Sequence, residues 1–221
     1  SGLKYTTWED MAGAVRIAME HLATRLGDRP IHVVGYSIGS ALALDFALDA
    51  VDGRARPVPA SLVLISPAVG LHPVAALAGW KRRLAAMPGL GGLAWLTIEP
   101  EFDPYKYNSF ATRAGEQAHR LTTSVARRLE SRARAGTLNG FPPTLVFKSN
   151  ADATVTNEAV VGRLLGRLDA NRNQLVIFDV NRLAAKSVLK IYDPRALATS
   201  FVGDAQLPFT VTLVTNENAD S

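Results

Sequence analysis

Short apolar runs rich in β-branched residues occupy Ile31 to Tyr36 and Ser61 to Ser66. Runs of this length without polar alternation predict strands buried on both faces of a parallel sheet. Before the first of them, Thr7-Trp8-Glu9-Asp10 reads as an N-terminal cap, and Trp8, Met11, Val15, Ala18, Leu22 and Leu26 recur every three or four residues up to Gly27. That spacing predicts an amphipathic helix that stops at the glycine. A second helix is expected from about Ile38 to Ala50, so residues 1 to 66 alternate helix, strand, helix, strand. The alternation predicts an α/β fold with a doubly wound, mostly parallel sheet.

Between Leu71 and Pro143 the strand signal vanishes, Gly and Pro punctuate the chain, and Ala114, Ala118, Leu121, Val125 and Leu129 mark one face of a long helix. This stretch reads as an inserted helical cap. The sheet rhythm resumes with a strand at Thr144 to Ser149, a helix carrying Val160, Val161, Leu164, Leu165 and Leu168, and strands at Gln174 to Asp179 and Phe209 to Thr215. Residues 180 to 208 read as a long connection with one strand-like piece, Ser187 to Tyr192. The expected organisation is a core in two parts, residues 1–70 and 144–221, with the cap at 71–143. A strand as apolar as Ile31 to Tyr36 calls for neighbours on both edges, yet only later strands are available, so the chain is expected to be a piece of a larger protein.

Composition narrows the function classes. The 221 residues are 48% hydrophobic, enough for one α/β domain with an insertion. No window approaches the roughly 18 consecutive apolar residues of a membrane span, and SGLKYTTWED lacks the order of a signal peptide, so a soluble, cytoplasmic protein is expected. There is no cysteine, and the four histidines lack metal-ligand spacing; no metal or other cofactor is expected. The net charge of +4 is concentrated between Lys81 and Arg134, with Arg127, Arg128, Arg132 and Arg134 at the end of the long helix. Cations suit a helix C-terminus, and no recognisable motif supports a nucleic-acid partner.

The chemistry concentrates in Gly35-Tyr36-Ser37-Ile38-Gly39, where a strand passes into a helix with no room for an ordinary loop. A turn this tight forces the serine into a strained backbone conformation and projects its hydroxyl at the carboxyl end of the strand, where open α/β sheets bind ligands. Gly35 and Gly39 are expected to relieve crowding as helix folds back on strand. The amide of Ile38, at the helix N-terminus, is positioned for an oxyanion. The arrangement reads as a nucleophile elbow with Ser37 as nucleophile. An aspartate there would have indicated dehalogenase or epoxide-hydrolase chemistry; serine favours acyl transfer to water. Asp152, after the strand Thr144 to Ser149, is the expected acid of a triad. The base should follow the acid in chain order, yet His21, His32, His72 and His119 all precede Asp152. His21 is expected to be exposed and His32 to be packed or hydrogen-bonded within its strand.

The phrases GYSIGS, LVLISPA, EFDPYKYNSF and SNADATV resemble the α/β-hydrolase superfamily, most closely its serine aminopeptidase and monoacylglycerol-lipase-like branch. The resemblance covers nearly the whole chain. It implies a serine hydrolase that cleaves a small-molecule carboxylic ester through an acyl-enzyme, and a catalytic histidine in a loop after the last strand. The chain by itself is then expected to be inactive for want of that base. An aminopeptidase-like amide hydrolase and a non-catalytic binding protein of the same fold are the alternatives. Tyr36, Phe102, Tyr105, Tyr107 and Phe110 would line a substrate pocket or pack the cap. Trp80 and Trp95, with MPGLGGLAWL, would suit a lipid-like substrate or peripheral contact of the cap with a membrane.

Overall fold

The computed structural model describes residues 5–69, 95–97, 110–149, 157–169, 172–179, 201–202, 204 and 206–215. Helix α1 (Trp8–Leu26) starts as expected, with a capping box. The Thr7 amide donates to the Asp10 carboxylate at 2.8 Å and the Thr7 hydroxyl accepts from the Asp10 amide at 3.2 Å. Gly27 ends it at φ 59°, a conformation that favours glycine. The expected stripe holds at Trp8, Val15 and Leu26, which pack against core residues, but not in its middle, where Met19 is buried and Ala18 and Leu22 are exposed. The helix is covered along its contact with α2, and only side chains on that side leave water.

The sheet is fully parallel. Strands β1 (His32–Tyr36), β2 (Ser61–Ile65), β5 (Thr144–Ser149), β6 (Gln174–Asp179) and β7 (Thr210–Thr215) follow one another across it. Helix α2 (Ile38–Val51) joins β1 to β2, helix α3 (Thr112–Ala135) precedes β5, and α4 (Asn157–Arg163) with a 3-10 turn (Leu165–Arg167) precedes β6. Each described crossover steps one strand further in the same direction, so right-handed connections put α2, α3 and α4 on one face. The core follows that geometry: Leu44 and Leu48 of α2, Leu121, Val125 and Leu129 of α3, and Val160 of α4 pack in one cluster with Leu62, Leu64, Val146, Leu175 and Ile177 of the sheet.

Three findings depart from the sequence expectations. The long helix read as part of the cap packs, as α3, in the main core layer, and its tie to α1 includes a 3.0 Å hydrogen bond from the Trp8 amide to Gln117. The stretch where the strand signal vanishes contains a two-stranded antiparallel ribbon, β3 (Trp95–Thr97) with β4 (Phe110–Ala111); strands of two and three residues are too short to show a period. Strand β1, expected to be buried on both faces, lies at the margin of the described sheet, and its second face exposes Val34 (66%) and Tyr36 (69%). The strand-like piece Ser187 to Tyr192 and most of the expected cap lie outside the described residues.

Candidate active site

Parallel register brings the carboxyl ends of the strands to one rim. Tyr36 is paired with Ile65 and Ile65 with Phe147, so Ser37 emerges beside the ends of β2 and β5. Two inter-strand spacings, roughly 9.5 Å, separate β1 from β5.

Ser37 has φ 51° and ψ −116°, a region that L-residues avoid. Four hydrogen bonds hold the turn there. The Ser37 amide donates to the Ile65 carbonyl at 2.9 Å, and the Ser37 carbonyl accepts from the amides of Ser40 at 3.1 Å and Ala68 at 3.2 Å. The buried Ser40 hydroxyl donates to the Gly35 carbonyl at 2.8 Å. Strain of this kind costs about 1–3 kcal/mol and persists only where surrounding contacts over-determine it. The next strand end repeats the feature: Ser66 has φ 43°, and its amide donates to the Phe147 carbonyl at 2.8 Å. The sequence reading missed Ser66; Ser-Pro directly after an apolar strand was the available signal.

Crowding falls on Gly35. A Cβ there would lie 2.7 Å from Ser40 Cα and 2.8 Å from both the Gly39 carbonyl oxygen and the Ser40 nitrogen. At Gly39 a Cβ would meet nothing within 4 Å among the described residues, so the expected collision there is not found: Gly39 faces away from β1 while Ser40 carries the close approach. All three atoms facing Gly35 are backbone and cannot rotate away. Gly35→Ala is therefore expected to destabilise the fold by about 2–3 kcal/mol, read by urea denaturation, and Gly39→Ala to lie within about 0.5 kcal/mol of the parent.

Ile38 is the first residue of α2, so its amide has no acceptor within the helix and stands at the positive end of the helix dipole. Ser37 and Ile38 are both half-buried. The Tyr36 side chain lies on the sheet face opposite Gly35 and is open to solvent. Asp152, Phe102, Tyr105 and Tyr107 lie outside the described residues. Strand β5, which leads toward Asp152, ends at Ser149 on the Ser37 rim.

The described histidines sit elsewhere. His32 opens β1, five residues and roughly 16 Å of strand before Ser37; it is exposed rather than packed, and its Nδ1 shares a 2.7 Å hydrogen bond with the Ser61 hydroxyl. His21 is exposed on α1, as expected, and His119 lines a cleft between α3 and α4. His72 is outside the described residues. Lys148, unanticipated by the sequence reading, is buried to 2% on the core face of β5, where its Nζ donates to the Ser149 carbonyl at 3.1 Å. A lysine two residues after Val146, in the same alternation of the strand, was the signal for it.

The family model described as "Alpha/beta hydrolase family" matches residues 1–188. No curated protein sequence matches the chain. Among solved structures, the chain is similar to a monoacylglycerol lipase of Paleococcus ferrophilus, with a TM-score of 0.55 and 16% identity over 79% of this chain and 66% of that one. A protein of Agrobacterium vitis S4 is similar with a TM-score of 0.50 and 17% identity over 80% and 61% of the two chains. A soluble variant of monoglyceride lipase from Saccharomyces cerevisiae has a TM-score of 0.49 and 14% identity over 76% and 58%. At these identities the likeness concerns the fold alone, and the chain spans 58 to 66% of the length of these structures. Among the described residues no helix is long and apolar enough to cross a membrane.

Proposed function

The chain belongs to the alpha/beta hydrolase family, and on that premise we propose that it carries the nucleophile of a serine hydrolase that cleaves carboxylic esters of lipid type through an acyl-enzyme. The observation that carries this reading is the backbone of Ser37: a non-glycine residue held at positive φ by four hydrogen bonds, at the carboxyl end of a strand and the start of a helix. Strain maintained at such a point is what a hydroxyl aimed out of the sheet requires. Ser37 Oγ attacks the ester carbonyl, the Ile38 amide stabilises the oxyanion, and Asp152 orients the base that accepts the Ser37 proton. The lipid-like substrate rests on the sequence resemblance, with Phe102, Tyr105 and Tyr107 offered as acyl contacts.

The base is proposed to be none of His21, His32 and His119, given where each stands. Because the resemblance puts the base after Asp152, and all four histidines of this sequence precede it, the 221 residues by themselves are proposed to turn over ester slowly or not at all. The test is fluorophosphonate labelling of the full-length protein followed by peptide mapping. One phosphonylated peptide containing Ser37 is expected. Absence of label on the folded protein, or label confined to another serine, would overturn the reading in favour of a binding protein of the same fold.

A further inference from the structure

A cleft of about 430 Å3 opens between α3 and α4, apart from the Ser37 rim. Its α3 wall is one helical stripe, with His119, Thr122, Thr123 and Arg127 at successive spacings of three, one and four residues. Arg163, the last residue of α4, and Arg167, in the 3-10 turn after it, form the facing wall. Three guanidinium groups therefore face one carboxylate, that of Glu130, which is already engaged by Arg134 at 2.5 Å and by Arg167 at 3.8 Å.

The other arginines of α3 are committed elsewhere. Arg113 donates to the Tyr5 carbonyl, Arg120 pairs with Glu9, Arg128 binds aspartates of α2, and Arg132 binds Asp52 at its C-cap. Arg127 and Arg163 have no partner among the described residues, although both reach the same cleft. His119 Nδ1 is buried beside them, also with no hydrogen-bond partner among the described residues. Uncommitted planar donors on two walls of a recess, with the His119 ring in its lining, form the complement of a compact tetrahedral anion. The volume is within the range of small-molecule sites, which leaves room for an organic group beside the anion.

We infer that the α3–α4 cleft binds a phosphate monoester group, with Arg127 and Arg163 as its principal ligands and Arg167 as a supporting donor. This inference does not depend on the role of Ser37.

The test is titration of the full chain with glycerol 3-phosphate, followed by calorimetry and by phosphorus NMR line width. Vesicles of phosphatidylcholine with phosphatidic acid, in a sedimentation assay, form the second arm. Saturable binding of one equivalent is expected, weakened about tenfold or more in the double variant Arg127→Gln/Arg163→Gln. Both arginines are exposed, so an unchanged circular dichroism spectrum is expected and checks that the variant folds. Arg25→Gln, at an exposed cation on α1, should leave the affinity unchanged. Soluble binding identifies a free phosphate ester as the source. Binding to vesicles alone, lost in the double variant, identifies a lipid headgroup. The proposal is overturned if the double variant binds both probes as tightly as the parent, or if Arg25→Gln weakens binding equally, which would reveal diffuse surface charge.

Discussion

Replacing Ser37 with alanine is expected to lower ester turnover by the full-length protein by about 10⁴- to 10⁶-fold, because the acyl-enzyme cannot form without the hydroxyl. Ser37→Gly is expected to be equally inactive but more stable. At φ 51° and ψ −116° alanine keeps the steric penalty of the turn, whereas glycine, with no Cβ, removes it. The difference between the two variants should be about 1–3 kcal/mol, which for a domain of this size raises the melting temperature by roughly 2–10 °C. The paired measurement separates chemistry from strain. Turnover that survives in Ser37→Ala removes the serine from the mechanism. A glycine variant no more stable than the alanine variant shows that the turn is not strained and that its geometry has another cause.

The parts of this fold that were legible in the sequence are those fixed by local pattern. The apolar runs of β2, β5 and β6 and the small residues of α2 announce themselves, because a strand in a parallel core has no polar face to display and a helix packed on it has little room. The tight Gly35–Gly39 junction announces the turn at Ser37 for the same steric reason. What stayed hidden depends on distant partners. The stripe of α3 is plain, but nothing local tells whether Leu121, Val125 and Leu129 face a cap or the sheet. The face of β1 that bears Val34 and Tyr36 reads as core from its residues alone. Asp45 and Asp49, on a helix that buries nearly all its other side chains, and Asp52 at its C-cap are intelligible only once Arg128, 83 residues beyond Asp45, is seen against them.

That aspartate cluster supplies the largest expected effect on stability. Arg128 donates from Nη1 to Asp45 and from Nη2 to Asp49, both at 2.6 Å; Arg16 and Arg54 also reach Asp49, while Arg54 and Arg132 reach Asp52. Helix α2, which begins at Ser37, is thereby tied to α1 and α3. Burial raises the Asp45 carboxyl above the ordinary aspartate range against the opposing pull of Arg128. Burial also acts to raise Asp49, but hydrogen bonds and charge from Arg54 and Arg128 outweigh it and its carboxyl is lowered. Arg128→Ala leaves Asp45 buried with no hydrogen-bonded cation among the described residues, and is expected to cost about 3 kcal/mol, the low end for a broken buried pair because the guanidinium is partly exposed. Adding Asp45→Asn should recover most of that loss, which a double-mutant cycle measures. The pH dependence follows from the signs. Asp45, raised in the fold, binds its proton more tightly folded than unfolded, so protonating it adds stability as pH falls through its folded value. Asp49, lowered in the fold, contributes stability above the ordinary aspartate value of about 3.9 and loses it only as pH falls further. As pH falls Asp45 therefore takes up its proton before Asp49 does, and Arg128→Ala, which takes away the cation opposing that protonation, should be less destabilising at pH 5 than at pH 8. Equal urea midpoints for the variant relative to the parent at both pH values would show that Asp45 stays ionised without Arg128, and would move the cost to lost packing of the arginine stem.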